Sequence, residues 1–339
     1  MPAVSGHDPP RRVTGRANTA AGAVSLPTHL IVVCCHAIYL GGRENQSRPA
    51  SVESNQQVLN DKDEESERNN NSKSHQYDSE NEANWLIEPF QKGETGTYIR
   101  HIEAGVRKLA EDDAAVLVFS GGATKRSRTV KSEGQGYLDV AIERNLFDLE
   151  TSPPTLRPRM FVDRFATDSY QNVLFSIIQL PLFTKEIYND SAGASLSSSS
   201  STTNATDLPE CRYPTKLTII SHRFKRSRFL DLHLPAMRWA GQTTFIGIDP
   251  PFDAEKMAEI EAGDRLRGYG VWEKDLYGAG ELLSAKRKTR GWDIQRFRRE
   301  VLERLASVED RIKLEQLLSW NGGEDGRLRC PYKMPWEGN

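Results

Sequence analysis

The stretch AAVLVFSGGATKRSR (residues 114–128) decides the fold. It opens with an apolar run that has no polar alternation, so both faces of the strand it predicts must be covered. Two glycines end the run, and a burst of positive charge follows. The same order recurs in KLTIISHRFKRSR (216–228): an apolar run, a serine, then the identical tetrapeptide KRSR. HLIVVCC (29–35), RMFVD (159–163) and TTFIGID (243–249) supply three more strand-sized runs. Helices are predicted between them. TYIRHIEAGVRKLAE (97–111) sets Ile99, Ile102, Val106 and Leu109 at helical spacing, and EGQGYLDVAIERNLF (133–147) and DSYQNVLFSIIQL (168–180) follow. Strands alternating with helices predict an α/β class domain with a mainly parallel sheet covered on both faces.

Composition sets the limits. Of 339 residues, 37% are hydrophobic and 27% charged, which is low apolar content for a chain folded throughout. The unfolded share is assigned to three places. Residues 1–28 read as a disordered leader, with Pro9, Pro10 and Pro27 opposing any amphipathic helix. Residues 43–83 and 189–209 are polar insertions that bury too little surface to offset the entropy of ordering them. The α/β domain then spans 29–250, and residues 251–339 form a helical C-terminal extension whose partner surface is left open. No apolar run approaches the roughly 20 residues needed to cross a bilayer. The net charge of −2 leaves only local clusters as a case for nucleic acid, so that partner is not expected. Cys34, Cys35, Cys211 and Cys330 form no C-x-x-C pair, and reduced thiols in a cytoplasmic protein are the expectation. No H-E-x-x-H or paired-cysteine spacing occurs, so no structural metal is expected.

In open parallel sheets, ligands bind beyond the carboxyl ends of the strands, where loops feed helix N-termini. The polar residues of interest fall there. His36 closes the first strand. Ser120, Gly121 and Gly122 close the second, where they would cradle a ligand, the glycines by positive φ and close backbone approach. Lys125 and Arg126 follow. Ser221 and His222 close the fourth strand, before Lys225 and Arg228. Cations in the first turn of a helix are unfavourable by roughly 0.3–1 kcal/mol each, so two such loops imply a bound anion. The competing reading is a solvated basic face. Glu133, at the start of its helix, either caps that end or serves as an acid–base group, with His36 or His222 as its counterpart. For each histidine a structural, hydrogen-bonded role stands beside the catalytic one. Asn172 either satisfies buried backbone or reaches the site. No P-loop, G-x-G-x-x-G or G-x-S-x-G motif is present.

These residues carry a resemblance to the YdcF/SanA family of unknown function. VFSGGATKRSRTVKSEGQGYL resembles that family's strand–SGG–SE–helix segment through Ser120, Gly121, Gly122, Ser132 and Glu133. DSYQNVLFSI is similar to its T-x-x-N-A helix start, with Ser169 in the threonine position and Asn172 in the asparagine position. RFKRSRFL is similar to its F-H-x-x-R-A stretch through Phe224 and Arg228, but Lys225 stands where the family has histidine. The first strand lacks the family's glycine-rich turn. The resemblance implies a Rossmann-like three-layer domain and a small anionic, nucleotide-like ligand, with S-adenosylmethionine as the cofactor it suggests. Two alternatives remain. One is a basic-surface module in which Lys286, Arg287, Lys288 and Arg290 join the KRSR loops to meet RNA, acidic lipid or an acidic partner. The other is a hydrolase using Glu133 and a histidine.

Overall fold

The computed structural model describes residues 26–41, 77–149, 156–195 and 213–337. Strand β1 (His29–Cys34) leads to β2 (Ile38–Tyr39), which pairs antiparallel with β3 (Trp85–Leu86). Then follow α1 (Thr95–Ala110), β4 (Ala115–Ser120), α2 (Glu133–Glu143), β5 (Met160–Asp163) and α3 (Ser169–Ser195). Next come β6 (Lys216–Ser221), α4 (Leu234–Ala236) and β7 (Gln242–Gly247). The chain ends in α5 (Ala254–Asp264), α6 (Gly270–Trp272), α7 (Glu281–Thr289), α8 (Ile294–Glu300) and α9 (Val308–Ser319).

The main sheet has the order β5-β4-β1-β6-β7, and every pairing in it is parallel. This is the Rossmann-like, three-layer arrangement. Central β1 explains the missing alternation in its sequence. Leu30, Val32 and Cys34 enter the core under α3, while Ile31 and Val33 enter the core under α1 and α2. On α1, Tyr98, Ile102, Val106 and Leu109 turn one stripe onto the sheet, and Gly105 sits so close that a Cβ would meet Val33 Cγ2 at 2.6 Å. Ser132 caps α2, its Oγ accepting from Gln135 N at 3.0 Å. The capping role considered for Glu133 therefore falls to its neighbour.

Several boundaries differ from the sequence reading. The insertion placed at 43–83 lies outside the described residues up to 76, but residues 77–83 fold into two 3-10 turns. They order because Ser79 is buried and its carbonyl accepts from Trp85 Nε1 at 2.8 Å. The leader lies outside the described residues up to 25, whereas Thr28 already pairs with Ala114. Helix α3 does not stop near 180. It continues through Pro181 to Ser195, and only 196–209 of the second insertion lie outside the described residues. Proline removes one helical hydrogen bond there, but burial of Leu182, Phe183 and Ile187 beyond it outweighs that loss.

The C-terminal segment completes the third layer. Phe297 on α8 stacks on Phe175 of α3 at 4.3 Å between centroids. Leu314 and Leu317 of α9, with Trp336 beyond it, join the same core as Leu30 and Val32. Trp336 donates its indole N–H to the Met237 carbonyl at 3.0 Å.

Candidate functional site

The strand order reverses at β1, with β4 and β5 on one side and β6 and β7 on the other. A crevice is expected at the carboxyl ends there, and a cleft of about 420 Å³ occupies it. Cys34, Cys35 and His36 supply the floor from the end of β1. Glu133 enters from the first turn of α2, Thr167–Asn172 from the start of α3, and His222–Phe229 from the segment after β6. Helices α5 and α7 close the far side with Lys256, Asp264, Lys286 and Arg290.

Of the residues singled out in the sequence, the structure brings His36, Glu133, Ser169, Asn172, His222, Lys225 and Arg228 together around this cleft. Ser221 lies just behind it, its Oγ 3.3 Å from His36 Nε2. The SGG cradle is not brought there. Ser120 Oγ is fully buried and donates to Asp163 Oδ2 at 2.7 Å. The N–H groups of Gly121 and Gly122 are taken by the carbonyls of Asp163 (3.0 Å) and Ala166 (2.7 Å). Neither glycine has positive φ. Each is needed for close packing instead. A Cβ on Gly121 would lie 2.9 Å from Cys35 Cβ, and one on Gly122 would lie 2.8 Å from Ala166 O.

The two KRSR loops also part company. Residues 125–128 form a turn well ahead of α2 and not its first turn, so the helix-dipole argument does not apply to them. Lys125 pairs with Glu88, and Arg126 lies against Gly291 in a notch of about 10 Å³, room for no more than a water. The second loop does reach the cleft. Asp249, at the end of β7, accepts from Arg223 N (2.6 Å) and Phe224 N (3.3 Å) and so fixes the 3-10 turn that carries Lys225. Arg228 opens a π-helical turn (Arg228–His233) and pairs with Asp264, which immediately precedes a second one (Arg265–Tyr269). Such turns recur at functional sites.

The cleft floor is polar yet largely uncharged. His36, His101 and His222 cluster as a trio, His101 edge-on to the other two and His36 tilted on His222, with centroid separations of 4.4, 5.0 and 5.7 Å. Burial, reinforced by Lys225, holds all three well below the usual imidazole range, His101 down to about 3. Lys225 Nζ stands 3.3 Å from His36 Nδ1, so an ammonium there donates to it and the ring proton sits on Nε2, facing Ser221. His222 is 1% exposed, and neither ring nitrogen has a hydrogen-bond partner; Glu94 Oε2, at 3.5 Å, is misaligned. Burial pushes the Glu94 and Glu133 carboxyls up, against donation from Tyr98 (2.7 Å) and Thr124 (2.5 Å) respectively. Burial also raises the Cys34 thiol to about 12 and pushes the Cys35 thiol well up, which keeps both protonated. Among the described residues no group of three His, Cys, Asp or Glu is arranged to hold a metal ion.

The sequence reading missed His101, His233 and the cations of the far wall. His101 sits on the apolar stripe of α1 beside Tyr98 and Ile102, and that position was its only signal. His233 closes the π-helical turn that Arg228 opens, and its Nε2 lies 2.8 Å from Ser169 Oγ. Lys286 and Arg290, one turn apart on α7, had been grouped with Arg287 as a surface cluster. Arg287 instead turns inward, to Asp168 (2.6 Å) and the carbonyls of Tyr277 and Gly278.

Fold and cleft together define a Rossmann-like α/β protein with a small-molecule-sized pocket at its switch point. Among curated proteins the chain is similar to the uncharacterized protein YOR238W of Saccharomyces cerevisiae, 23% identical over 320 residues, covering 78% of this chain and 93% of the yeast protein. No family model matches the sequence. No solved structure matches it either.

Proposed function

We propose that this protein binds, and as an enzyme acts on, a small anionic, nucleotide-like molecule in the switch-point cleft. One observation carries the reading: the charge left over after the cleft's internal pairs are made. Asp264 is taken by Arg228, Asp168 by Arg287 and Glu259 by Lys256. Glu94 and Glu133 are pushed by burial toward their neutral forms. Lys225, Arg267, Lys286 and Arg290 line the same cavity and make no ion pair among the described residues. Unpaired cations gathered around one cleft favour an anion, and guanidinium forks suit phosphate and carboxylate. Phe90, 76% exposed at the lip, offers flat apolar surface for a base.

Resemblance to the YdcF/SanA family supports the same site. Of the positions that carry it, Glu133, Ser169, Asn172, Phe224 and Arg228 line this cavity, whereas Ser120, Gly121, Gly122 and Ser132 do not. S-adenosylmethionine is accordingly one ligand to try, and a cytoplasmic setting suits such a ligand. Among the described residues no helix is long and apolar enough to cross a membrane. Thermal shift against AMP, ATP, S-adenosylmethionine and sugar phosphates tests the proposal. Ligand at one hundred times its Kd should add about 2.7 kcal/mol, and the gain should shrink in the double variant Lys286→Gln/Arg290→Gln. A flat panel would remove the reading.

The hydrolase alternative has its own support in Glu133, a carboxyl raised by burial and set in the cleft, which suits a general acid. The basic-surface alternative is weakened by the inward turn of Arg287 and the pairing of Lys125.

A further inference from the structure

Lys225 differs from the other cations of the cleft. It lies on the floor, whereas Lys256, Arg267, Lys286 and Arg290 come from the far wall. Its amine meets no described carboxylate at ion-pair distance, and its one hydrogen-bond partner is a neutral imidazole nitrogen, His36 Nδ1 at 3.3 Å. Lysines that only hold anions are usually hydrated and free to titrate at their ordinary pKa. This one is fixed on a short 3-10 turn that Asp249 clamps from below. The groups facing it are Cys34 and His36 from β1, Glu94 and His101 from α1, His222 from its own loop, Arg228 from the π turn and Asp264 from α5. The imidazoles are neutral, the thiol is protonated, and Asp264 is committed to Arg228. The Phe224 ring, 5.5 Å from Nζ, and the Asp264 and Glu94 carboxyls favour the ammonium, but desolvation and Arg228 outweigh them.

We propose that Lys225 is a reactive amine that captures the carbonyl carbon of an anionic aldehyde or ketone as an imine. The proposal rests on the anion-binding reading only for the ligand's charge; the amine chemistry stands on the floor geometry. The bookkeeping closes without a further reactant. The lone pair of neutral Nζ attacks the carbonyl carbon, and the carbonyl π pair moves to oxygen, which takes a proton. The resulting carbinolamine loses water, leaving a C=N bond to Nζ. Amine plus carbonyl gives imine plus water, with no oxidation or reduction. His36 Nδ1, already in contact with Nζ, is placed to receive the proton that the nitrogen sheds after attack. Desolvation and Arg228 bring the Lys225 amine down to about 8, so a usable share is neutral near physiological pH.

The test uses the full-length protein with pyridoxal 5′-phosphate as an anionic aldehyde and pyridoxal as its uncharged counterpart. Borohydride reduction fixes the adducts, and peptide mass mapping locates them. The expected result is adduct concentrated on Lys225, formed at least tenfold faster with the phosphate than without. Its rate in the unmodified chain should be half-maximal near pH 8. Lys225→Arg should abolish that adduct and retain the wild-type melting temperature within a few degrees. Labelling of Lys225 no faster than that of exposed Lys92 and Lys288 overturns the proposal. If pyridoxal phosphate raises the melting temperature of both chains alike without an adduct at Lys225, the imine falls and the anion site stands. Equal labelling by pyridoxal would keep the imine and overturn the anionic half of the ligand.

Discussion

Gly121 and Gly122 show how one atom's worth of space positions the cleft. They let the chain leaving β4 press against Cys35, Glu133 and the backbone at 164–166, so the first turn of α2 arrives at the floor. Gly122→Ala would place a methyl 2.8 Å from Ala166 O and 3.1 Å from Arg164 O, and backbone yields less than a side-chain tip. We expect a loss of about 1–3 kcal/mol, read as a lower denaturant midpoint with an unchanged slope. Because Gly122 lies outside the cleft, ligand affinity in the folded variant should change little. Two carboxyls at this scale have parted roles: Asp163 is an internal acceptor for Ser120 and Gln179, whereas Glu133 faces the cavity.

Helix α5 has no buried residue, yet it walls one side of the cleft. Its cap is local, with Asp253 accepting from Lys256 N, and the tie at its far end is the Asp264–Arg228 pair. Those side chains are only 12% and 11% exposed, so removing one partner strands a charge with little solvent. Breaking such pairs commonly costs about 3–5 kcal/mol. Asp264→Ala should therefore loosen residues 254–269 first. Hydrogen exchange in that segment should accelerate by roughly a hundredfold or more, with β1, β4 and β6 unaffected. Equal acceleration throughout would mean that the pair holds the whole fold and not one helix.

Across the whole molecule, five histidines among the described residues set the response to acid. His29, His36, His101, His222 and His233 are all depressed, chiefly by burial. Below the unfolded value of 6.5 the unfolded chain takes up protons that the native chain refuses. Stability is therefore complete above about 6.5 and falls as pH drops toward the folded values, about 3 for His101. Each histidine contributes up to about 1.4 kcal/mol per pH unit in that window. Glu94, Glu133 and Asp163, raised by burial, act in the opposite sense: they favour the native state below their unfolded values, and this is lost as pH rises through their folded ones. The histidine contribution should dominate between pH 6.5 and 5. Urea midpoints at pH 7 and pH 5 check it, and a higher midpoint at pH 5 would contradict it.

What the sequence determined by itself was the sheet and its covering helices, because each strand and each helix is a contiguous run whose apolar spacing fixes its period and the face it buries. It also marked residues that the fold gathers at one cleft, His36, Glu133, Asn172 and Lys225, since parallel strands bring their carboxyl ends, and the loops and helix starts after them, to one edge wherever they occur in the chain. Only the tertiary structure decided that the two identical basic tetrapeptides go to different places, that Arg287 turns inward while Lys286 and Arg290 face the cavity, and that His101 joins His36 and His222. Those outcomes depend on which distant carboxylate or carbonyl reaches each side chain first, and on a C-terminal layer packed against α3. Local periodicity carries no information about either.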